Sequence, residues 1–193
     1  MREAMDNIPE RLTQYGYALV PSLIPMQTAE FLHLYARTSA AKQPSFGDSL
    51  VPGTPSFHGD HAMELLLRSL LPKMEELTGK RLYPTYAYYR VYKTGDILRR
   101  HRDREACEYS LTVCLGYEGA STWPIFIEGP KGQFAAKLTP SDALLYKGID
   151  CAHWREAYDG TTASQVFLHY VDQNGPYKEW RYDKRPDLGI AMD

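Results

Sequence analysis

The sequence predicts a mainly β fold with flanking α-helices, a sandwich or barrel for which a double-sheet jelly roll has the right number of strands. Three observations predict it. From Leu82 onward, Tyr, Val, Ile, Phe and Thr gather in short runs separated by Gly, Pro, Asp or Asn, the texture of successive strands. Before Leu82, apolar residues recur every third or fourth position in two stretches divided by a Pro- and Gly-rich segment, so helices precede the strands. A chain of 193 residues suits one domain and buries a sizeable core without disulfides or structural metals. Pattern alone does not choose the strand order.

In chain order, a first strand is expected near 16–21. Pro25 sits in the first turn of a helix running through Ala29, Phe31, Leu32, Tyr35 and Ala36. Between about 42 and 60, Pro44, Gly47, Pro52, Gly53, Pro55 and Gly59 break any period and mark a loop long enough to be a lid or pocket rim. Asp60 then caps a helix in which Met63, Leu66, Leu67, Leu70, Met74 and Leu77 share a face; Pro72 kinks or restarts it and Gly79 stops it. Strands follow near 83–93, 108–117, 124–128, 132–138, 142–147, 153–158 and 164–171. The whole, 1–193, reads as one domain: helical support to about residue 80, a β core over about 81–172, and an extension over 173–193.

Charge narrows the partner. Lys plus Arg number 22 against 24 for Asp plus Glu, and a net charge of −2 gives no electrostatic case for nucleic acid or an anionic membrane. Three cysteines, Cys107, Cys114 and Cys151, form no CxxC spacing and leave an odd thiol if paired, which favours a reducing compartment. The opening residues lack the basic and apolar regions of a secretory signal, and no apolar run approaches a bilayer's thickness. The expectation is a soluble cytoplasmic protein.

The chemistry concentrates at His101-Arg102-Asp103, introduced by Tyr92-x-x-Gly95 and followed much later by His153. On an extended strand, residues i and i+2 point to one side, so the His101 imidazole and the Asp103 carboxylate can grip one cation. His153 from a distant strand completes a two-His, one-carboxylate set, the arrangement that leaves coordination positions free on non-haem Fe(II). His58-Gly59-Asp60-His61 also contains an HxD, but it lies in a loop, where the i, i+2 rule fails, and Asp60 has a structural duty as helix cap. His169, in the last strand, is a rival third ligand, and His33 reads as an ordinary helix side chain. Arg155, two residues beyond His153, either faces the same cavity or makes a surface salt bridge. Arg104 and Glu108 have a loop salt bridge as their plain reading, and Cys107 reads as a small buried side chain.

These residues resemble the Fe(II)- and 2-oxoglutarate-dependent dioxygenases, particularly their compact prolyl-hydroxylase-like branch. Tyr92-x-x-Gly95-x5-His101-x-Asp103 is similar to that branch's strand, turn and first two iron ligands; Ser141-Asp142-Ala143-Leu144-Leu145-Tyr146 is similar to its "GDALLF" strand, and His153 falls where the distal ligand belongs. The resemblance covers roughly 83–172. It implies a double-stranded β-helix, a cupin-like jelly roll, with Fe(II) held by His101, Asp103 and His153 as the catalytic and metal set. It further implies 2-oxoglutarate as cofactor, O2 as cosubstrate, succinate and CO2 as products, and ascorbate as accessory reductant. The expected substrate is an amino acid, peptide or small metabolite, hydroxylated at an unactivated C–H bond. The family's basic residue nine or ten positions after the distal His is missing: the chain has Thr162, Ala163, Ser164 and Gln165 there. Arg155, with Tyr92 as a hydroxyl donor and Thr162 as an accessory hydrogen bond, takes its place for the far carboxylate.

Other readings stay open at the level of sequence. One is a cupin-like metalloenzyme that needs no keto acid; another is a non-catalytic metal-binding sensor. Nucleic-acid repair gains little, because no basic stripe interleaved with aromatics is visible.

Overall fold

The computed structural model describes residues 7–42, 47–119 and 122–190. The opening hexapeptide, residues 43–46 of the expected loop and the last three residues of the extension lie outside the described residues. In chain order the elements are α1 (Ile8–Tyr15), β1 (Tyr17–Val20), α2 (Met26–Ala40), β2 (Phe57–His58), α3 (His61–Ser69), α4 (Leu71–Thr78), β3 (Leu82–Lys93) and β4 (Leu98–His101), then β5 (Tyr109–Glu118), β6 (Ile125–Gly129), β7 (Gly132–Ala136), β8 (Ala143–Tyr146), β9 (Ala152–Arg155) and β10 (Thr162–Asp172). The fold is mostly β with helices to one side. No helix among the described residues is long and apolar enough to cross a membrane.

Local chemistry explains the helices. The Asp60 carboxylate accepts from the Ala62 and Met63 N–H groups at 3.0 and 3.2 Å and so starts α3. Pro72 lies in the first turn of α4, where its missing N–H removes no bond, so the long apolar stretch becomes two helices meeting at Leu70. Pro25 is the residue before α2 rather than part of its first turn, and its carbonyl accepts from Thr28 and Ala29 N–H. No predicted element covered α1; its signals are Asn7, whose side chain accepts from Glu10 N–H, and Pro9 in the first turn.

The strands form two antiparallel sheets, one ordered β1-β8-β5-β10-β3-β2 and the other β4-β9-β6-β7. From β3 to β10 the chain passes back and forth between them. α2, α3 and α4 bury Leu32, Met63, Leu67, Met74 and Leu77 against the outer face of the larger sheet, which contributes Leu111, Val113, Val166, Leu168 and Tyr170. The inner face packs on the smaller sheet through Cys114, Leu144 and Tyr146 with Ile125 and Ile127. β10 is therefore covered on both faces and is buried almost throughout, unlike a strand with one wet face. Its inward residues, Ala163, Gln165, Phe167 and His169, alternate with the outward apolar ones. The short β4 and the two-residue β2 fall outside the strand ranges the sequence predicted.

Candidate metal centre

β3 ends in a tight turn that returns the chain as β4. Gly95, at φ +84°, adopts the left-handed conformation this turn needs, and its N–H donates to the Tyr158 carbonyl at 2.8 Å. The Asp96 carboxylate closes the turn by accepting from Lys93 N–H at 2.9 Å and from the buried Thr54 hydroxyl. β4 then brings His101 directly opposite His153 of β9 in the antiparallel register, so both imidazoles leave the same face of the smaller sheet. Their ring centroids lie 4.2 Å apart. Asp103 stands just past the end of β4, where its N–H donates to the Gly148 carbonyl at 3.0 Å.

The three side chains meet. Asp103 Oδ1 is 3.5 Å from His101 Nε2 and 3.6 Å from His153 Nε2. These separations are long for hydrogen bonds. One ligand atom from each residue lies within 4.8 Å of the other two, a spacing that suits a cation between them. The tautomers also suit it. His101 Nδ1 lies 2.8 Å from the Arg99 carbonyl and His153 Nδ1 lies 3.1 Å from the Cys151 carbonyl. A carbonyl only accepts, so each Nδ1 carries the proton and each Nε2 presents its lone pair toward Asp103.

Electrostatics holds these charge states. Burial disfavours the imidazolium of His153 and outweighs the attraction of Asp103, so its pKa falls below the ordinary value. Burial alone would raise the Asp103 pKa, but any proton gained by His153 or His101 places a positive charge beside the carboxylate, and this coupling holds the carboxyl below the usual range. A cavity of about 260 Å³ borders His101 and Asp103 and is walled by Asp48, His58, Tyr86, Tyr88, Arg90 and Arg104.

A second group of polar atoms lies deeper between the sheets. Arg155, two positions along β9 from His153, is 1% exposed, which rules out a surface salt bridge. Its Nη1 donates to the Trp123 carbonyl and its guanidinium lies 4.8 Å from the Trp123 ring centroid. Its Nε and Nη2 are buried without partners, as are the Tyr92 hydroxyl and the Gln165 amide nitrogen. Among the described residues no carboxylate is in ion-pair distance of Arg155. An unpaired buried charge costs several kcal/mol, about 3–5 where a partner is removed, so these donors describe a place for an anion.

Thr162 is not part of this group. Along β10, Ala163 pairs with Tyr92 on the inward face, whereas Thr162 pairs with Lys93 and turns the other way. Its hydroxyl donates to Glu118, and it borders a separate surface hollow with Arg37, Val91 and Lys93. Period-two alternation is the physical reason the expectation for Thr162 fails. Arg104 pairs with Asp183 at 2.6 Å and not with Glu108, whose carboxylate accepts from Asp172 N–H. All three cysteines are free and buried, and burial pushes the Cys107 thiol pKa up. His58 stacks on Tyr88 at 4.8 Å, and Asp60 serves as cap and as acceptor for the Tyr35 hydroxyl at 2.6 Å, so the second HxD builds no ligand set. Sequence reasoning missed Ser110 of β5 and Gly148 of the β8–β9 turn, which flank Asp103, and Gln165 of β10, whose buried amide nitrogen has no partner. Inward alternation along β10 was the available signal for Gln165.

No protein-family model matches the sequence, and no curated protein matches it either. Solved structures do resemble it. SnoN, described as a non-haem alpha-ketoglutarate-dependent epimerase from nogalamycin biosynthesis and solved with Fe3+, alpha-ketoglutarate and nogalamycin RO, is 15% identical over 100% of this chain and 93% of its own, with a TM-score of 0.73. A Pseudomonas putida prolyl-4-hydroxylase is 13% identical over 86% of this chain and 97% of its own, with a TM-score of 0.68. HygX from Streptomyces hygroscopicus, solved with nickel and 2-oxoglutarate, is 11% identical over 90% of this chain and 88% of its own, with a TM-score of 0.67. At these identities the likeness is one of fold.

Proposed function

We propose that this protein is an Fe(II)- and 2-oxoglutarate-dependent oxygenase that hydroxylates a small molecule at an unactivated C–H bond. The observation that carries the reading is a two-His, one-carboxylate set with a buried, unpaired arginine two residues along the same strand from its distal histidine. The alternation of β3 to β10 between the sheets supports a double-stranded β-helix as the frame. His101, Asp103 and His153 would hold the metal, and the chemistry of that donor set fits a ferrous ion with open positions. A ferrous ion held there would supply O2 activation with 2-oxoglutarate as cosubstrate, giving succinate and CO2 as by-products.

The chain's own residues do the rest. His153 and Arg155 leave β9 on one side, separated by two strand residues or about 6.7 Å, a span comparable to a five-carbon diacid. Arg155 Nε and Nη2 form a fork for the far carboxylate, and the Tyr92 hydroxyl adds a donor. Thr162 has no role here. Burial of Arg155 and Tyr92 between the sheets keeps water from them, which strengthens a guanidinium–carboxylate attraction. The substrate enters by the cavity that borders His101 and Asp103. A small-molecule substrate is supported by that cavity's size, about 260 Å³, just below the ~300–1,000 Å³ usual for ligand pockets. SnoN and HygX, solved with nogalamycin RO and hygromycin B, are fold neighbours with ligands of that kind.

Succinate formation tests the reading. With Fe(II), 2-oxoglutarate and O2, the wild type should release succinate even without substrate, slowly, and His101→Ala should abolish it. Succinate release that is independent of Fe(II), or equal in His101→Ala, rules the proposal out.

A further inference from the structure

His169, the rival third ligand of the sequence, lies outside the His101, Asp103 and His153 set, yet it is 2% exposed and close to Asp103. The larger sheet puts it there: His169 of β10 pairs directly with Ser110 of β5, and both side chains point inward. The Ser110 hydroxyl has three neighbours. They are His169 Nδ1 at 2.9 Å, Asp103 Oδ2 at 3.3 Å and the Cys107 carbonyl at 3.3 Å. A hydroxyl owns one proton, and the carboxylate and the carbonyl can only accept. If His169 Nδ1 were also an acceptor, three acceptors would compete for that proton and the Ser110 oxygen would face two lone pairs. With the proton on Nδ1 instead, His169 donates to Ser110, and of its two equidistant acceptors Ser110 donates onward to the charged one, Asp103. His169 Nε2, which has no partner, is then the nitrogen with the lone pair. The ring is fixed by Tyr86, 4.6 Å away centroid to centroid.

The far side of the carboxylate is closed as well. A Cβ on Gly148 would come within 2.4 Å of Asp103 Oδ2, so only glycine lets the backbone approach this oxygen. Oδ2 is thus occupied by Ser110 and crowded by Gly148, while Oδ1 faces both imidazole Nε2 atoms.

Resting on the metal-site reading above, we propose that His169 is a positioning residue: through Ser110 it anchors Oδ2 of Asp103, so that the carboxylate offers the metal Oδ1 alone. A carboxylate free to rotate would chelate through both oxygens and take a position that a keto acid or O2 needs.

Co(II) binding, followed by visible absorption without 2-oxoglutarate, tests this on the intact chain. His169→Phe keeps the ring against Tyr86 but loses the donor, and Ser110→Ala removes one small hydroxyl. Each should weaken Co(II) by about 10–100-fold, the usual effect of losing a partner of a metal ligand, and should change the absorption intensity that reports coordination number. The double variant should be no weaker than either single one, because both break one chain. His169→Asn, whose amide N–H reaches the Nδ1 position, should restore most of the affinity. Affinity within threefold of wild type in folded His169→Phe or in Ser110→Ala, or losses that simply add in the double variant, would overturn the proposal. Co(II) bound with this pattern but no succinate formed sinks the oxygenase reading and leaves the positioning role standing; succinate formed with His169→Phe binding Co(II) normally does the reverse.

Discussion

Replacing Arg155 with Met separates the charge from the packing. In the ligand-free protein the guanidinium makes one bond, to the Trp123 carbonyl, and holds two further donors buried and unpaired. Losing that bond leaves a carbonyl unsatisfied at a cost of about 1–3 kcal/mol. Removing an unpaired buried charge in favour of an apolar chain of similar length returns several kcal/mol, about 3–5. The return at least matches the loss, so ligand-free Arg155→Met should unfold no lower than wild type. The liganded protein behaves differently. Two charge-assisted bonds at about 1.5–3 kcal/mol each make the loss at least about 3 kcal/mol, a weakening of 2-oxoglutarate of roughly 100-fold or more. The assay is thermal unfolding, without O2, with a divalent metal present and 2-oxoglutarate at about 100 times the wild-type Kd. Wild type should gain about 2.7 kcal/mol, a rise of roughly 5–10 °C for a domain of this size. Arg155→Met should show almost none of it. An undiminished ligand-induced rise in the variant would refute the assignment of Arg155 to the far carboxylate.

Two other outcomes are expected. Asp60→Ala removes the α3 cap and the acceptor of the Tyr35 hydroxyl, so the protein should lose about 1–2 kcal/mol, read as a fall in the urea midpoint, while Co(II) affinity stays unchanged; a loss of metal binding would return the second HxD to contention. Burial pushes the His169 pKa down to about 4, with Arg104, His153 and His58 acting in the same direction and Asp103 against them. Its folded value therefore lies below the unfolded ~6.5, the unfolded chain binds the extra proton, and stability falls as pH drops from about 6.5 to 4, by about 3 kcal/mol in all. Metal-free wild type should show this slope in urea titrations and His169→Phe should lose it; equal slopes in the two proteins would contradict the assignment.

The readable parts of the site were those that depend on near neighbours. Tyr92-x-x-Gly95 spans one turn and His101-x-Asp103 straddles the end of one short strand, so the spacing keeps the two side chains close, while the Gly148 carbonyl that receives the Asp103 N–H holds Asp103 in place beyond the strand. Asp60 likewise caps the helix that follows it, a local duty that distinguishes the two HxD motifs. Thr162 was misplaced for a related reason: its distance from His153 counts residues along the chain, but the strand's two faces alternate, and the bulge between Ser164 and Gln165 relative to β5 gives no mark in the sequence. β2 escaped notice because two residues make no periodicity, and β4 because Leu98-Arg99-Arg100-His101 lacks the apolar alternation of a strand.

By itself the sequence determined the donor types, their order along the chain and the strand-rich texture that carries them, since each is a property of residues close together in the chain. Only the tertiary structure decided that His101 faces His153, that Arg155 is sealed without a counter-ion, and that His169 and Ser110 reach Asp103 from the opposite sheet. Those facts arise from register between strands far apart in sequence, where a slip of one residue would turn each side chain to the other face.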